Sequence, residues 1–349
     1  MDFFSIIMLL CGLTMFLFGM DLMEKNMSKA AGGKLERILG KLTADPVIAV
    51  LLGASVTAVI QSSSATTVMV VGFVNSGIMT LHQAVGIIMG ANIGTTITSW
   101  ILSLAGIESN NFFIRLLKPD SFAPAMGLAG VVLYLFGKRQ KRKCIGGILT
   151  GFAVLMTGME AMSRAMEPLK EIPAFTDLFM MFTNPVFGML TGALLTAVIQ
   201  SSSASIGILQ ALCTTGAVSC ATVVPIIMGQ NIGTCVTAMI SAARAGTNAK
   251  RAAYVHLYFN LIGTVLFMCV FYMVHLIRSF DFMEKSVNAA GIAAIHSIFN
   301  IVTVLMLFPF RGGLERLACI TVREKKVEKG RRTGLVVRNN IKNRMSTLK

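Results

Sequence analysis

Thr57-Ala58-Val59-Ile60-Gln61-Ser62-Ser63-Ser64-Ala65 recurs residue for residue as Thr196-Ala197-Val198-Ile199-Gln200-Ser201-Ser202-Ser203-Ala204. The shift of 139 residues that overlays them also lays Pro46 on Pro185, Gly53 on Gly192 and Gly77 on Gly216. Downstream, Ile87-Ile88-Met89-Gly90 falls on Ile226-Ile227-Met228-Gly229, and Asn92-Ile93-Gly94-Thr95 on Asn231-Ile232-Gly233-Thr234. Upstream, Gly19-Met20-Asp21 meets Gly158-Met159-Glu160. No gap is needed, so the chain is an internal duplication. Transporters are commonly built this way, with substrate held where the repeats meet.

The composition places both repeats in a bilayer. Hydrophobic residues make up 54%, charged residues only 13%, and the mean hydropathy is +0.73. Soluble domains carry about 25% charged residues. Apolar stretches at 5–23, 82–106, 121–137, 145–163, 219–243, 253–277 and 288–310 suit the ~20 residues that a helix needs to cross ~30 Å of hydrocarbon. Seven spans are therefore expected, besides two further apolar stretches at 47–76 and 186–215. The start, Met1-Asp2-Phe3-Phe4, lacks a basic leader region and reads as part of the first span. The cysteines, Cys11, Cys144, Cys213, Cys220, Cys235, Cys269 and Cys319, have no metal-site or disulfide spacing and read as small apolar residues.

The net charge of +15 is patterned. Lys and Arg gather at Lys25 to Lys41, Lys138 to Lys143, Arg244 to Arg251 and along the tail from Arg311 to Lys349. Elsewhere Arg115, Lys118, Arg164, Lys170, Arg278 and Lys285 stand mostly beside acidic residues. That is the signature of cytoplasmic loops, not of a nucleic-acid surface. If 24–45 and 138–143 are both cytoplasmic, an even number of crossings separates them, and 82–106 with 121–137 supply two. The stretch 47–76 must then dip in and return as two short helices, since residues 47–60 rise only about 21 Å. The same count makes 186–215 a hairpin from the opposite side.

The expected fold is an all-α polytopic membrane protein of two inverted-topology repeats. Each has three spans and a re-entrant helical hairpin, and one extra C-terminal span follows. The divisions are 1–137, a basic linker 138–144, 145–277, an additional helix 278–310 and a basic cytoplasmic tail 311–349.

Within 46–114 only His82 and Glu108 can carry charge, and 185–243 holds no such residue. Polar work at depth falls to hydroxyls, amides and backbone. A break at Gln61-Ser62-Ser63-Ser64, and its copy at Gln200-Ser201-Ser202-Ser203, would bare helix N-terminal N–H groups that attract an anion. Serine and glutamine oxygens there suit sodium. Asn92 with Thr95, and Asn231 with Thr234, stand one turn apart and read either as packing residues or as ion ligands. His256 with Asn260 and His296 with Asn300 share an i, i+4 face, which suits interhelical hydrogen bonding or support of an ion site. A multiply charged anion without Arg or Lys must bring its countercharge, so sodium symport is expected. Serine nucleophile chemistry is disfavoured because no base lies near either cluster in sequence.

With these paired QSSS segments and the IIMGANIGT and IIMGQNIGT stretches, the chain resembles the type II sodium-phosphate cotransporter family over about residues 5–310. It is similar to a bacterial member without the cytoplasmic domain that resembles the regulatory protein PhoU. The resemblance implies a non-enzymatic symporter of inorganic phosphate, with sodium as coupling ion and no other cofactor. It places phosphate at Gln61, Ser62, Ser63, Ser64, Gln200, Ser201, Ser202 and Ser203. Sodium is expected at Ser64, Thr67, Asn92, Thr95, Ser203, Asn231 and Thr234. The alternative is a sodium symporter of another small anion such as a carboxylate. The implied setting is the cell membrane, multi-pass, with a cytoplasmic C-terminus; the partners are phosphate, sodium and lipid, with a homo-oligomer left open.

Overall fold

The computed structural model describes residues 3–33, 45–106, 118–172 and 181–324. The basic residues from Lys34 to Lys41, Glu108, Arg115 and the tail beyond 324 lie outside them. The described residues are helical, with one isolated bridge between Ser219 and Ser286. The helices are α1 (Phe3–Ala31), α2 (Pro46–Ile60), α3 (Ser63–Ser76), α4 (Leu81–Ser103), α5 (Pro119–Phe136) and α6 (Gln140–Met166). They continue as α7 (Pro185–Ile199), α8 (Ser202–Cys213), α9 (Cys220–Ala242), α10 (Thr247–Ile277), α11 (Ala289–Leu307) and α12 (Arg311–Thr321).

Six helical stretches are long and apolar enough to cross a membrane: Phe3–Ala31, Leu81–Gly106, Gln140–Leu169, Cys220–Ala242, Thr247–Ile277 and Ala289–Thr321. The seventh expected span is the shorter α5, whose 18 residues make about 27 Å and include Pro124. Large apolar side chains face outward along the helices, among them Phe4, Leu194, Val198 and Leu276. Such a surface is stable only under lipid.

Sequence determines where the hairpin helices start and stop. Asp45 caps α2 by accepting from the Val47 and Ile48 N–H groups at 2.8 and 3.1 Å, with Pro46 in the first turn. Asn184 and Pro185 repeat the device at α7. Both helices end on glutamine in the left-handed region, Gln61 at φ 64° and Gln200 at φ 61°. Ser62 and Ser201 then extend the chain and cap α3 and α8.

Helix directions follow from the glycine contacts. Gly86 faces Ala49, Gly90 faces Val50, and Gly94 faces Ala54 and Thr57, so α4 runs parallel to α2. The intervening α3 must carry the chain back, which makes α2–α3 a hairpin. The contacts of Gly188, Gly229 and Gly233 with α9 and α7 repeat this for α7–α8. In contrast, Gly12 meets Gly158 and Met162, Gly19 meets Gly151 and Leu155, and Gly147 meets Asn26, so α1 and α6 run antiparallel.

One end of the molecule collects the basic segments. There Gly246 donates to Asn75 at the end of α3, His82 at the start of α4 meets Glu315 at 2.9 Å, and Arg251 donates to the Val322 carbonyl. At the other end Cys220 donates to the Lys285 carbonyl and Gly106 abuts Ala289. Hence α4 and α9 also run in opposite directions.

The first span after each hairpin partner is placed unequally. α5 packs along α6, while α11 packs on α4 as α10 packs on α9. The 139-residue shift lays 253–277 on 114–138, the region of α5, yet the place beside α4 belongs to α11. Ser99 with His296 at 2.7 Å, and Trp100 with Ser297 at 3.0 Å, hold α11 in it. The start of the basic tail is helical too: Leu314 and Ala318 of α12 are buried.

Candidate functional site

At each hairpin tip a helix ends and another begins across one extended serine. A left-handed residue with a side chain costs roughly 1–2 kcal/mol, yet Gln61 and Gln200 are the only such non-glycine positions among the described residues. Strain kept twice at matching places marks a site. The capping hydroxyls of Ser62 and Ser201 accept from Ala65 and Ala204 N–H at 3.3 and 3.2 Å. Helix geometry leaves the N–H groups of Ser63, Ser64, Ser202 and Ser203 without carbonyl partners in their own helices.

The tips lie close together along α1. Ser62 lies beside the Glu24 carboxyl, and Ser201 donates to Met20 Sδ at 3.8 Å. Met20 and Glu24 are one helical turn apart, about 6 Å. Neither hairpin helix contains an ionisable Lys, Arg, His, Asp or Glu.

The expected residues fall around this meeting point unequally. Gln61 is 2% exposed, its Nε2 donates to the Ala58 carbonyl, and its Oε1 is buried without a partner. Gln200 is exposed. Ser63, Ser202 and Ser203 are buried, whereas Ser62, Ser64 and Ser201 are partly exposed. Thr67 Oγ1 is buried and unpartnered. Asn92 and Asn231 each donate Nδ2 to the carbonyl four residues back at 3.0 Å, and Thr95 and Thr234 do the same with their hydroxyls. With those hydrogens tied back, the threonine hydroxyls and the asparagine Oδ1 atoms keep their oxygen lone pairs for a cation, beside one further N–H on each amide.

His256 and His296 are buried in α10 and α11, and Asn260 and Asn300 bond the carbonyls of those histidines at 3.0 and 2.8 Å. His296 is an interhelical tie through Ser99.

Several polar groups at this depth escaped the sequence reading. Thr237 Oγ1 donates to the Gln200 carbonyl at 3.4 Å, which places its repeat counterpart Thr98, buried and unpartnered, at the level of Gln61. Gln230, standing where the first repeat has Ala91, is fully buried with both amide atoms unpartnered. Gln210 ties α8 to the Ser99 and Ala289 carbonyls at 3.0 and 2.9 Å while its Oε1 stays unpartnered. Buried polar atoms without partners are rare in folded proteins and call for an occupant. The available signal was the constant spacing of 37 between α2 and α4 positions, which carries Gln61 to Thr98. Glu24 had no such signal.

A cavity of about 810 Å³ opens at the end away from the basic segments. Lys118, Arg164 and Lys285 line it beside Glu160 and Glu167, and it reaches Met159, the counterpart of Met20.

The sequence model of the Na+/Pi-cotransporter family matches residues 15–164 and again 165–304. The chain belongs to that family. It is therefore a multi-pass membrane protein of a transporter family, and the two matched segments coincide with the duplication. The chain is 30% identical over 313 residues to YqeW of Bacillus subtilis (strain 168), covering 89% of this chain and 96% of that protein. It is 24% identical over 322 residues to YjbB of Escherichia coli (strain K12), whose provisional name is inorganic phosphate export protein; 92% of this chain and 56% of YjbB are covered. A shorter stretch of 113 residues is 34% identical to the human sodium-dependent phosphate transport protein 2B, covering 32% of this chain and 16% of that protein. No solved structure matches the chain.

Proposed function

We propose that this protein is a secondary active transporter that carries inorganic phosphate across the cell membrane in symport with sodium. Alternating access would operate between two inverted-topology repeats. The observation that supports the reading most is the pair of Gln-Ser-Ser-Ser tips, which reach one turn of α1 from hairpin helices that hold no cationic side chain.

The chemistry follows from that geometry. Phosphate at the tips is held by neutral donors: the N–H groups of Ser63, Ser64, Ser202 and Ser203, the positive ends of α3 and α8, and the serine hydroxyls. Gln61 and Gln200 set the break that exposes them. A dianion held this way stays uncompensated until cations join it. Sodium at oxygens from Ser64, Thr67, Asn92 and Thr95, and from Ser203, Asn231 and Thr234, supplies the charge. Empty and fully loaded carriers then move while half-loaded ones do not. Opposite directions of α1 against α6 and of α4 against α9 support the inversion. Basic residues gathered at one end support a cytoplasmic placement for it, and with it the C-terminus. The relatives' names differ on direction, and a symporter runs whichever way the sodium gradient drives it.

Purified protein in proteoliposomes is expected to accumulate labelled phosphate with a sodium gradient and not when choline replaces sodium. Saturable uptake that ignores sodium would end the reading, and strong competition by citrate or succinate would reassign the substrate. Lys29→Cys and Lys141→Cys should label from the same side and Lys285→Cys from the other, because Asn26 of α1 packs against Gly147 of α6.

A further inference from the structure

We propose that the groove between α7, α9 and α10 binds one anionic phospholipid from the leaflet at the basic end, with an acyl chain in the groove and the headgroup at Arg244 and Lys250. The proposal does not depend on what is transported, and it adds a partner outside the serine motifs.

The groove holds about 660 Å³ and is lined by Leu194 and Ala197 of α7, by Ile232, Met239 and Ala243 of α9, and by Leu257 of α10. Its lining side chains are apolar throughout. From Ile232 to Ala243 α9 rises about 16 Å. That is about half of a ~30 Å hydrocarbon core, the depth of one leaflet. Leu194 and Ile240 stand exposed at its rim, so the groove opens toward lipid.

The groove ends at Ala243, where the basic segments gather. Arg244 follows directly and is exposed, and Gly246 two residues on donates to Asn75. Lys250 stands seven residues before Leu257 on α10, hence on the same helix face and about 10 Å nearer that end. Neither cation has an ion-pair partner among the described residues, while Glu315 meets His82 and Glu324 meets Arg251. Basic residues at the mouth of a pocket between spans suit an anionic headgroup. The same charges disfavour a second copy of this chain as the occupant, since two copies in one membrane orientation would bring Arg244 toward Arg244.

The first repeat has a side chain of its own at the matching place. The 139-residue shift lays Met239 on Trp100, and the His-x-x-Phe-Asn echo lays Leu257 on Ser297. The Trp100 indole donates to Ser297 at 3.0 Å and bridges α4 and α11. In the second repeat Met239 and Leu257 take those places and line the groove instead. Ala197 stands three residues before Gln200, so an acyl chain seated there would brace the second hairpin beside its break.

The test adds phosphatidylglycerol or phosphatidylcholine to the purified protein in detergent and reads native mass spectra and the apparent melting temperature. The parent should retain one phosphatidylglycerol in preference to phosphatidylcholine and melt higher with it. Arg244→Gln should weaken that retention about fivefold, and Arg244→Gln with Lys250→Gln about thirtyfold, as for two cations near a lipid surface. Met239→Trp, which installs the other repeat's residue, should abolish the preference. If Met239→Trp fails to give monodisperse protein, Leu257→Phe takes its place. Lys138→Gln, at an exposed cation of the 138–143 cluster, should match the parent. Inorganic phosphate and short-chain phosphatidylglycerol should not reproduce the melting shift, because neither fills the groove. Equal retention of the two lipids by the parent, unchanged retention in the groove-filling variant, or an equal loss in Lys138→Gln would overturn the site. A parent dimer that Met239→Trp separates, with no lipid retained by either protein, would give the groove to a second copy and overturn it too.

Discussion

The two hairpins share nine consecutive residues around their breaks and the same backbone angles, yet their side chains meet different surroundings. At the first tip Gln61 is buried, Ser62 lies beside a carboxyl, and Thr57 bonds Thr66 at 3.0 Å. At the second, Gln200 is exposed, Ser201 holds only a thioether, and Thr196 and Ser205, the counterparts of Thr57 and Thr66, are both unpartnered. Identical local sequence fixes the bend. What the bend touches is decided by helices far away in sequence. Unequal surroundings for equal repeats are what alternating access requires, since the two halves take opposite conformations in each state.

The strongest way to break this comparison is through the packing that the hairpins do share. A Cβ on Gly90 would run into the Val50 carbonyl, and one on Gly229 into the Met189 carbonyl. Backbone stands in the way in both cases, so no rotamer relieves the clash. Gly90→Leu and Gly229→Leu should each cost more than ~3 kcal/mol and leave little monodisperse protein on size exclusion. If only one did so, the hairpins would differ in their scaffold and not merely at their tips.

A smaller effect separates the tips themselves. Ser201→Ala removes a hydroxyl whose present acceptor is weak and which is free to turn to an anion. Loss of a hydrogen bond to a charged ligand is worth about 1.5–3 kcal/mol, so the phosphate KM should rise by about tenfold or more. Ser62→Ala should raise it less, because Glu24 lies beside that hydroxyl and a carboxylate there disfavours an anion. Each change also removes a helix cap, at about 1 kcal/mol of stability. Equal KM changes in uptake assays would show that the asymmetry has no part in substrate binding.

Much of this was legible in the sequence. The count of crossings and the short apolar run before each QSSS segment placed both breaks within those four residues, and the 139-residue shift paired them. Proline after Asp45 and Asn184 marked the helix starts. What stayed hidden was tertiary. The shift pairs α10 with the region of α5, whereas α11 is the helix packed on α4, and the clue was the echo of His256-Leu257-Tyr258-Phe259-Asn260 in His296-Ser297-Ile298-Phe299-Asn300. A local identity says which helices are alike, not which surface each one covers. Glu24 was invisible for a related reason: its neighbour Ser62 is brought near it by folding, and Ser163 stands at the matching place of the other repeat.

The smallest expected effect uses the shared strain to read the unshared surroundings. Both glutamines hold a backbone conformation that glycine adopts freely, so Gln→Gly relieves about 1 kcal/mol at either tip, less the entropy that glycine adds to the unfolded chain. At position 200 the side chain is exposed, and its removal costs little more. At position 61 the amide is buried and bonded to the Ala58 carbonyl, and glycine would leave a hole with that carbonyl unmet. Removing one partner of a buried hydrogen bond costs about 1–3 kcal/mol. Gln200→Gly should therefore leave the apparent melting temperature level or slightly raised, while Gln61→Gly should lower it by a few degrees. The reverse order would mean that the second tip, and not the first, is the closed one in solution.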